Sequence, residues 1–129
     1  MFKKVLKYAI SSLFAVMVII QFIARPEKVA EPIDPSKDML AVLSVTGEMN
    51  TLFQTACYDC HSNQPEYPWY SNIAPLSWWI DDHMEHGKEE LNFSEWGSYS
   101  KKRRDHKLEE IVEETEAGKM PLPSYRRVH

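Results

Sequence analysis

The stretch "ACYDCHS", Ala56 to Ser62, holds the only two cysteines of the 129-residue chain, and a histidine follows the second directly. Four chemistries use paired sulfurs of this kind: a disulfide, a zinc site, a redox-active dithiol and a covalently attached haem. A disulfide between Cys57 and Cys60 closes a very short loop and leaves His61 without a role. Zinc takes four ligands, and the candidates His83, His86 and His106 bring no second cysteine pair. A thioredoxin-like dithiol belongs beside a βαβ unit, and no segment here alternates in the manner of a strand. Haem attachment uses all three residues. At i, i+3 and i+4 they are neighbours on one helical turn, so the sulfurs can form thioethers with the two vinyl groups on one porphyrin edge while the imidazole lies beneath the iron.

With His61 as the proximal ligand, a residue must face the iron from the other side. "GKMP" supplies Met120: Gly118 stops a helix, Pro121 stiffens the exit, and a thioether raises the potential of His-ligated haem iron. His83 is the alternative, since it shares a helical face with Leu76, Trp79 and Ile80. Met39, Met49 and Met84 read as packing residues, and His86 and His106 as solvated side chains. His61 must also present one nitrogen to iron and donate with the other to a carbonyl. Trp69, Tyr70, Trp78, Trp79 and Trp96 together have enough surface to wall a porphyrin and exclude water. The basic run Lys101–Arg104 reads as solvated surface, with docking of an acidic redox partner or neutralisation of propionates as its functional alternatives.

The elements that carry these residues read as helices throughout. Thr46 can cap a helix in which Met49, Leu52, Phe53 and Ala56 make one apolar face, delivering Cys57 at its end. The proline-rich loop "SNQPEYPWYSNIAP" follows. Pro75 then suits the first turn of a second helix, and Gly87 suits its end. Ser100 can cap a third helix with an inner stripe of Leu108, Ile111, Val112 and Thr115, stopped by Gly118. "KMPLPSY" is expected to be extended. The fold class is all-α.

Ahead of this domain, Lys3, Lys4 and Lys7 precede a charge-free run from Tyr8 to Ala24. No good cleavage pattern follows it, so residues 1–24 are expected to be a retained membrane anchor with the basic end in the cytoplasm. Residues 25–37, "RPEKVAEPIDPSK", read as an extended linker, and 38–129 as the domain proper. Setting aside the three anchor lysines leaves 12 of the 15 basic residues against 19 acidic ones, a formal charge of −7, which argues against nucleic acid as a partner.

The run from "CYDCHSNQPEYPWYSNIAPLSWWIDDH" through "LNFSEWGSYS" to "KLEEIVEETEAGKMPLPSY" resembles the small bacterial haem-binding domain family related to cytochrome c, over about residues 38–129. The resemblance implies a small cytochrome c-like helical domain around one covalent haem c, often behind an N-terminal membrane segment. By likeness to cytochromes c, the carbonyl of Pro75 or Pro65 is the expected acceptor for His61. The chain stops at "SYRRVH", where members usually continue into a further helix. The expectation is an electron-transfer protein rather than an enzyme, held at the bacterial inner membrane with its haem on the periplasmic side and an unidentified redox partner protein. A sensor or peroxidase-type module with an open iron site is the alternative, and a zinc or disulfide-stabilised domain without haem stands behind it.

Overall fold

The computed structural model describes residues 2–23, 26, 28 and 31–128. Among them there are helices and turns and no strand. The helices are α1 (Phe2–Ile19), α2 (Met39–Val42), α3 (Gly47–Ala56), α4 (Tyr58–His61), α5 (Leu76–Glu90), α6 (Lys101–Glu116) and α7 (Pro123–Val128). Three 3₁₀ turns join them, at Ile20–Phe22, Trp69–Asn72 and Phe93–Ser98. The all-α expectation holds. The chain divides into two compact units, Met1–Val29 with Tyr67–His83, and Ala30–Glu66 with Met84–His129.

In the first unit, the run Phe2–Phe22 is a helix of 21 residues with mean hydropathy 1.9 and none of it buried. At about 1.5 Å per residue it is about 30 Å long, enough to cross the hydrocarbon core of a bilayer. A membrane span and a signal sequence both have this character. The expected end of the anchor, at Ala24 and Arg25, lies outside the described residues. Near the end of the run the Gln21 side chain pairs with both backbone polar groups of Ala74: Nε2 donates to its carbonyl at 2.9 Å, and its N–H donates to Oε1 at 3.0 Å. Within the stretch expected to be a linker, the Lys28 ammonium donates to Ser71 Oγ at 2.6 Å and to Asn72 Oδ1 at 2.8 Å.

The second unit has a core of Met39, Leu40, Leu91, Phe93 and Trp96, with Phe53, Tyr58 and Ile111 packed against it. Asp38 caps α2 by accepting from Leu40 N–H and Ala41 N–H. The same carboxylate accepts the Tyr58 hydroxyl at 3.0 Å, which ties α2 to the turn after Cys57. Gly97 donates its N–H to the Lys37 carbonyl at 2.7 Å, and a Cβ there would stand 2.8 Å from Lys37 Cα. Only glycine allows that approach.

Several sequence expectations change here. Thr46 precedes α3 but makes no side-chain cap bond. Phe53 packs inward, whereas Met49 and Leu52 are exposed. Met49 is therefore not a packing residue, while Met39 and Met84 are buried. Gly87 does not end α5, which continues to Glu90. Pro123, expected in an extended segment, opens α7, where its missing N–H leaves no bond unmade. The Ser100 cap and the Gly118 stop hold: Ser100 Oγ accepts from Arg103 N–H, and Gly118 takes a left-handed φ of +67°.

Candidate functional site

The cysteine–histidine turn is a helix interrupted at its first residue. Cys57 leaves α3 with φ −127° and ψ −40°, and its N–H still donates to Phe53. The Cys57 carbonyl then accepts from both Cys60 and His61 N–H, at 3.2 and 3.0 Å. The i, i+3, i+4 relation of the three residues thus survives the break. Both thiols are half-buried and unpaired. Burial pushes each up to about 11, with Asp59 adding to the effect at Cys60. Protonated at neutral pH, they are poorly suited to nucleophilic redox exchange or cation binding. Among the described residues, no group of three or more His, Cys, Asp or Glu side chains is gathered to hold a metal ion.

His61 is held from a distant segment. Its Nδ1 lies 2.8 Å from the Gly87 carbonyl and 2.9 Å from the Leu91 carbonyl. Both partners can only accept, so Nδ1 carries a proton, and in the neutral tautomer that this sets, Nε2 is the nitrogen with the lone pair. The acceptors are therefore Gly87 and Leu91, not Pro65 or Pro75. Gly87 makes this possible by lacking a side chain: a Cβ there would sit 2.8 Å from the Cys60 carbonyl oxygen. A helix-stop signal in the sequence is in fact the point where α5 lies against the cysteine turn. Behind His61, buried Asn63 donates its N–H to Ser94 Oγ, and Asn92 Nδ2 donates to Asn63 Oδ1, fixing the chain as it leaves the turn.

Beside this turn lies a cavity of about 400 Å³, within the roughly 300–1,000 Å³ range of small-molecule and cofactor sites. Cys57, His61 and Met120 all line it. Cys60, whose carbonyl faces Gly87, is not among its lining residues. Leu91 and Phe93 supply apolar wall, and Phe93 stacks on Tyr58 with ring centroids 5.1 Å apart. Within this unit the aromatic lining residue is Phe93, and Trp96 is fully buried in the core. The indole N–H of Trp96 has no partner among the described residues.

The far wall comes from α6, through Lys107, Glu110, Ile111, Glu113, Glu114 and Thr115. All but Glu113 stand at i, i+3, i+4, i+7 and i+8, one helical face. The expected stripe shares Ile111 and Thr115 with this face, while its other two members, Leu108 and Val112, are exposed. The polar part of this face escapes a search for apolar periodicity because Lys107, Glu110 and Glu114 are charged. The Lys107 ammonium reaches Glu110 at 2.7 Å and Glu90 at 3.6 Å, and its bond holds the Glu110 carboxyl below the usual range. The spacing of Lys107 and Glu110 is the signal that could have revealed it.

Met120 follows the Gly118 stop. Its N–H and that of Lys119 both donate to the Glu114 carbonyl at 3.0 Å, which holds the loop against the end of α6. Its side chain is 37 % exposed. His83 belongs to the other unit, where its Nδ1–H donates to the Trp79 carbonyl at 2.8 Å and its ring packs on Trp79. In the Lys101–Arg104 run, Lys101 pairs with Asp105 and Arg103 lies 3.9 Å over the Tyr99 ring. His86 and His106 are exposed.

Residues 15–129 match the family described as a haem-binding domain. No curated protein and no solved structure matches the chain.

Proposed function

The chain belongs to the haem-binding domain family, and on that premise we propose that it is a membrane-tethered electron carrier. One haem c is bound through thioethers at Cys57 and Cys60, with His61 and Met120 as axial ligands. The observation that carries this reading is the pinning of His61. Two backbone carbonyls fix its tautomer and hold its ring, leaving Nε2 as the ligating atom of a residue that lines the same cavity as Cys57 and Met120.

Haem bound there supplies a one-electron couple whose potential depends on its axial ligands and surroundings. The chain's own contribution is to orient one ligand, present the other on a loop held to α6, and surround the site with Leu91, Phe93 and Ile111. With both axial positions filled by protein, no bond chemistry is left to the domain, and it is not an enzyme. The apolar helix α1 keeps it at the bacterial inner membrane with residues 31–128 on the periplasmic side, where it serves a redox partner protein.

Expression with a cytochrome c maturation system tests the attachment. The haem should stay with the polypeptide through acid–acetone extraction and denaturing electrophoresis; mass spectra showing bare cysteines would overturn it. The reduced protein should react little with carbon monoxide. Ready binding would favour the sensor or peroxidase-type reading instead, and the half-open position of Met120 is the feature that would allow it.

A further inference from the structure

We infer that the segment Trp69–Trp79 is a lipid-contacting surface, clamped by Gln21 to the exit of α1 so that its aromatic side chains lie in the headgroup region of the membrane. This rests on the reading of α1 as a retained anchor, and it concerns a part of the chain that the haem site does not use.

The clamp sets the depth. Phe2–Phe22 is about as long as the hydrocarbon core is thick, so Gln21 stands at its outer edge when the lysines of the first turns stand at the inner one. Both backbone polar groups of Ala74 are bonded to the Gln21 side chain at 2.9 and 3.0 Å. Seven residues further on, Lys28 bonds Ser71 and Asn72 and lies 4.9 Å over the Tyr67 ring. The segment is thus held at two points to the chain that emerges from α1.

What it presents there is apolar. Trp69 is 75 % exposed, and Ile73, Leu76 and Trp79 are exposed as well. From Tyr67 to Ile80 no residue is charged, the longest such run after that of α1 itself. Large apolar residues left open to water in a cluster mark an interaction surface. Tryptophan and tyrosine, with an apolar body and a polar tip, concentrate where hydrocarbon meets headgroups. The charge then returns at once with Asp81 and Asp82, as expected where the chain re-enters water.

The haem-loaded full chain in lipid nanodiscs tests this, using a phospholipid that carries a diazirine near its headgroup, with adducts mapped by mass spectrometry after photolysis. The expected adducts fall on α1 and on residues 69–79, and none on α6. Gln21→Leu keeps the helix apolar and removes both bonds to Ala74, so it should lower the 69–79 adducts several-fold and leave those on α1. Adducts on α1 without any on 69–79 overturn the inference while the anchor stands. Adducts on 69–79 that persist unchanged in Gln21→Leu overturn the clamp on which it is built. No adducts on α1 overturn the anchor, and this inference with it.

Discussion

Two histidines of this chain lie in helices and differ in what holds them. His83 bonds the carbonyl of Trp79, four residues earlier on its own helix. His61 bonds carbonyls 26 and 30 residues away. A local bond of the first kind needs only the helix that contains it. The second kind exists only when α5 lies against the cysteine turn, and it fixes the ring before any ligand arrives. Preorganisation of this sort is what a ligating histidine requires and an ordinary surface histidine lacks, and it supports the proposed role of His61.

The largest test of that contrast is removal of each ring. His61→Ala should abolish the low-spin spectrum and reduce stable haem incorporation by an order of magnitude or so, whereas His83→Ala should leave both unchanged. An altered spectrum in His83→Ala alone would make His83 the ligand. Next comes the other face. Met120→Ala should remove the weak far-red sulfur-to-iron charge-transfer band, lower the potential and admit exogenous ligands, with haem still attached through Cys57 and Cys60.

The contact that pins His61 can be tested without touching it. Gly87→Ala forces a methyl to within 2.8 Å of the Cys60 carbonyl oxygen, which is backbone and cannot rotate away. A loss of about 1–3 kcal/mol is expected in thermal or denaturant unfolding, with a perturbed haem spectrum. If Gly87 were merely an interior helical residue with open space around it, alanine there would be neutral or stabilising. A smaller effect is expected at the other edge of the turn, where the Tyr125 hydroxyl lies 2.7 Å from Asp59 Oδ2 and 2.9 Å from the Thr55 carbonyl. Tyr125→Phe should lower stability by about 1 kcal/mol without shifting the spectrum.

The thiols give a pH test in the haem-free chain. Their folded values, about 11, lie above the ordinary thiol range. Burial disfavours the thiolate, so the stability associated with the buried protonated thiols is complete below the ordinary thiol value and is lost as pH rises towards 11. Alkylation of Cys57 and Cys60 should accordingly be slow at pH 8 and accelerate towards pH 11. Fast alkylation at pH 8 would show the cysteine turn to be open without haem.

Much of the site was legible in order. Cys57, Cys60 and His61 at one helical turn, the Ser100 cap, the Gly118 stop and the apolar run of α1 all depend on bonds or contacts within a few residues. Such bonds are made by the segment that contains them, whatever lies around it. Gly87 was misread because a glycine near a helix end and a glycine under a crossing backbone look the same in one dimension. The α6 wall was read only in part: Ile111 and Thr115 belong to the expected stripe, whereas Lys107, Glu110 and Glu114 are charged and leave no apolar signature.

By itself, then, the sequence determined an all-α chain, a cysteine–histidine turn of the right geometry for haem, and one helix long and apolar enough for a membrane. Only the tertiary structure decided which carbonyls orient His61, which face of α6 closes the cavity, and that Gln21 holds Ala74. Each of those is a contact between residues far apart in the chain. Its partners are chosen by packing, and no spacing rule along the chain encodes which distant backbone atom will arrive within 3 Å.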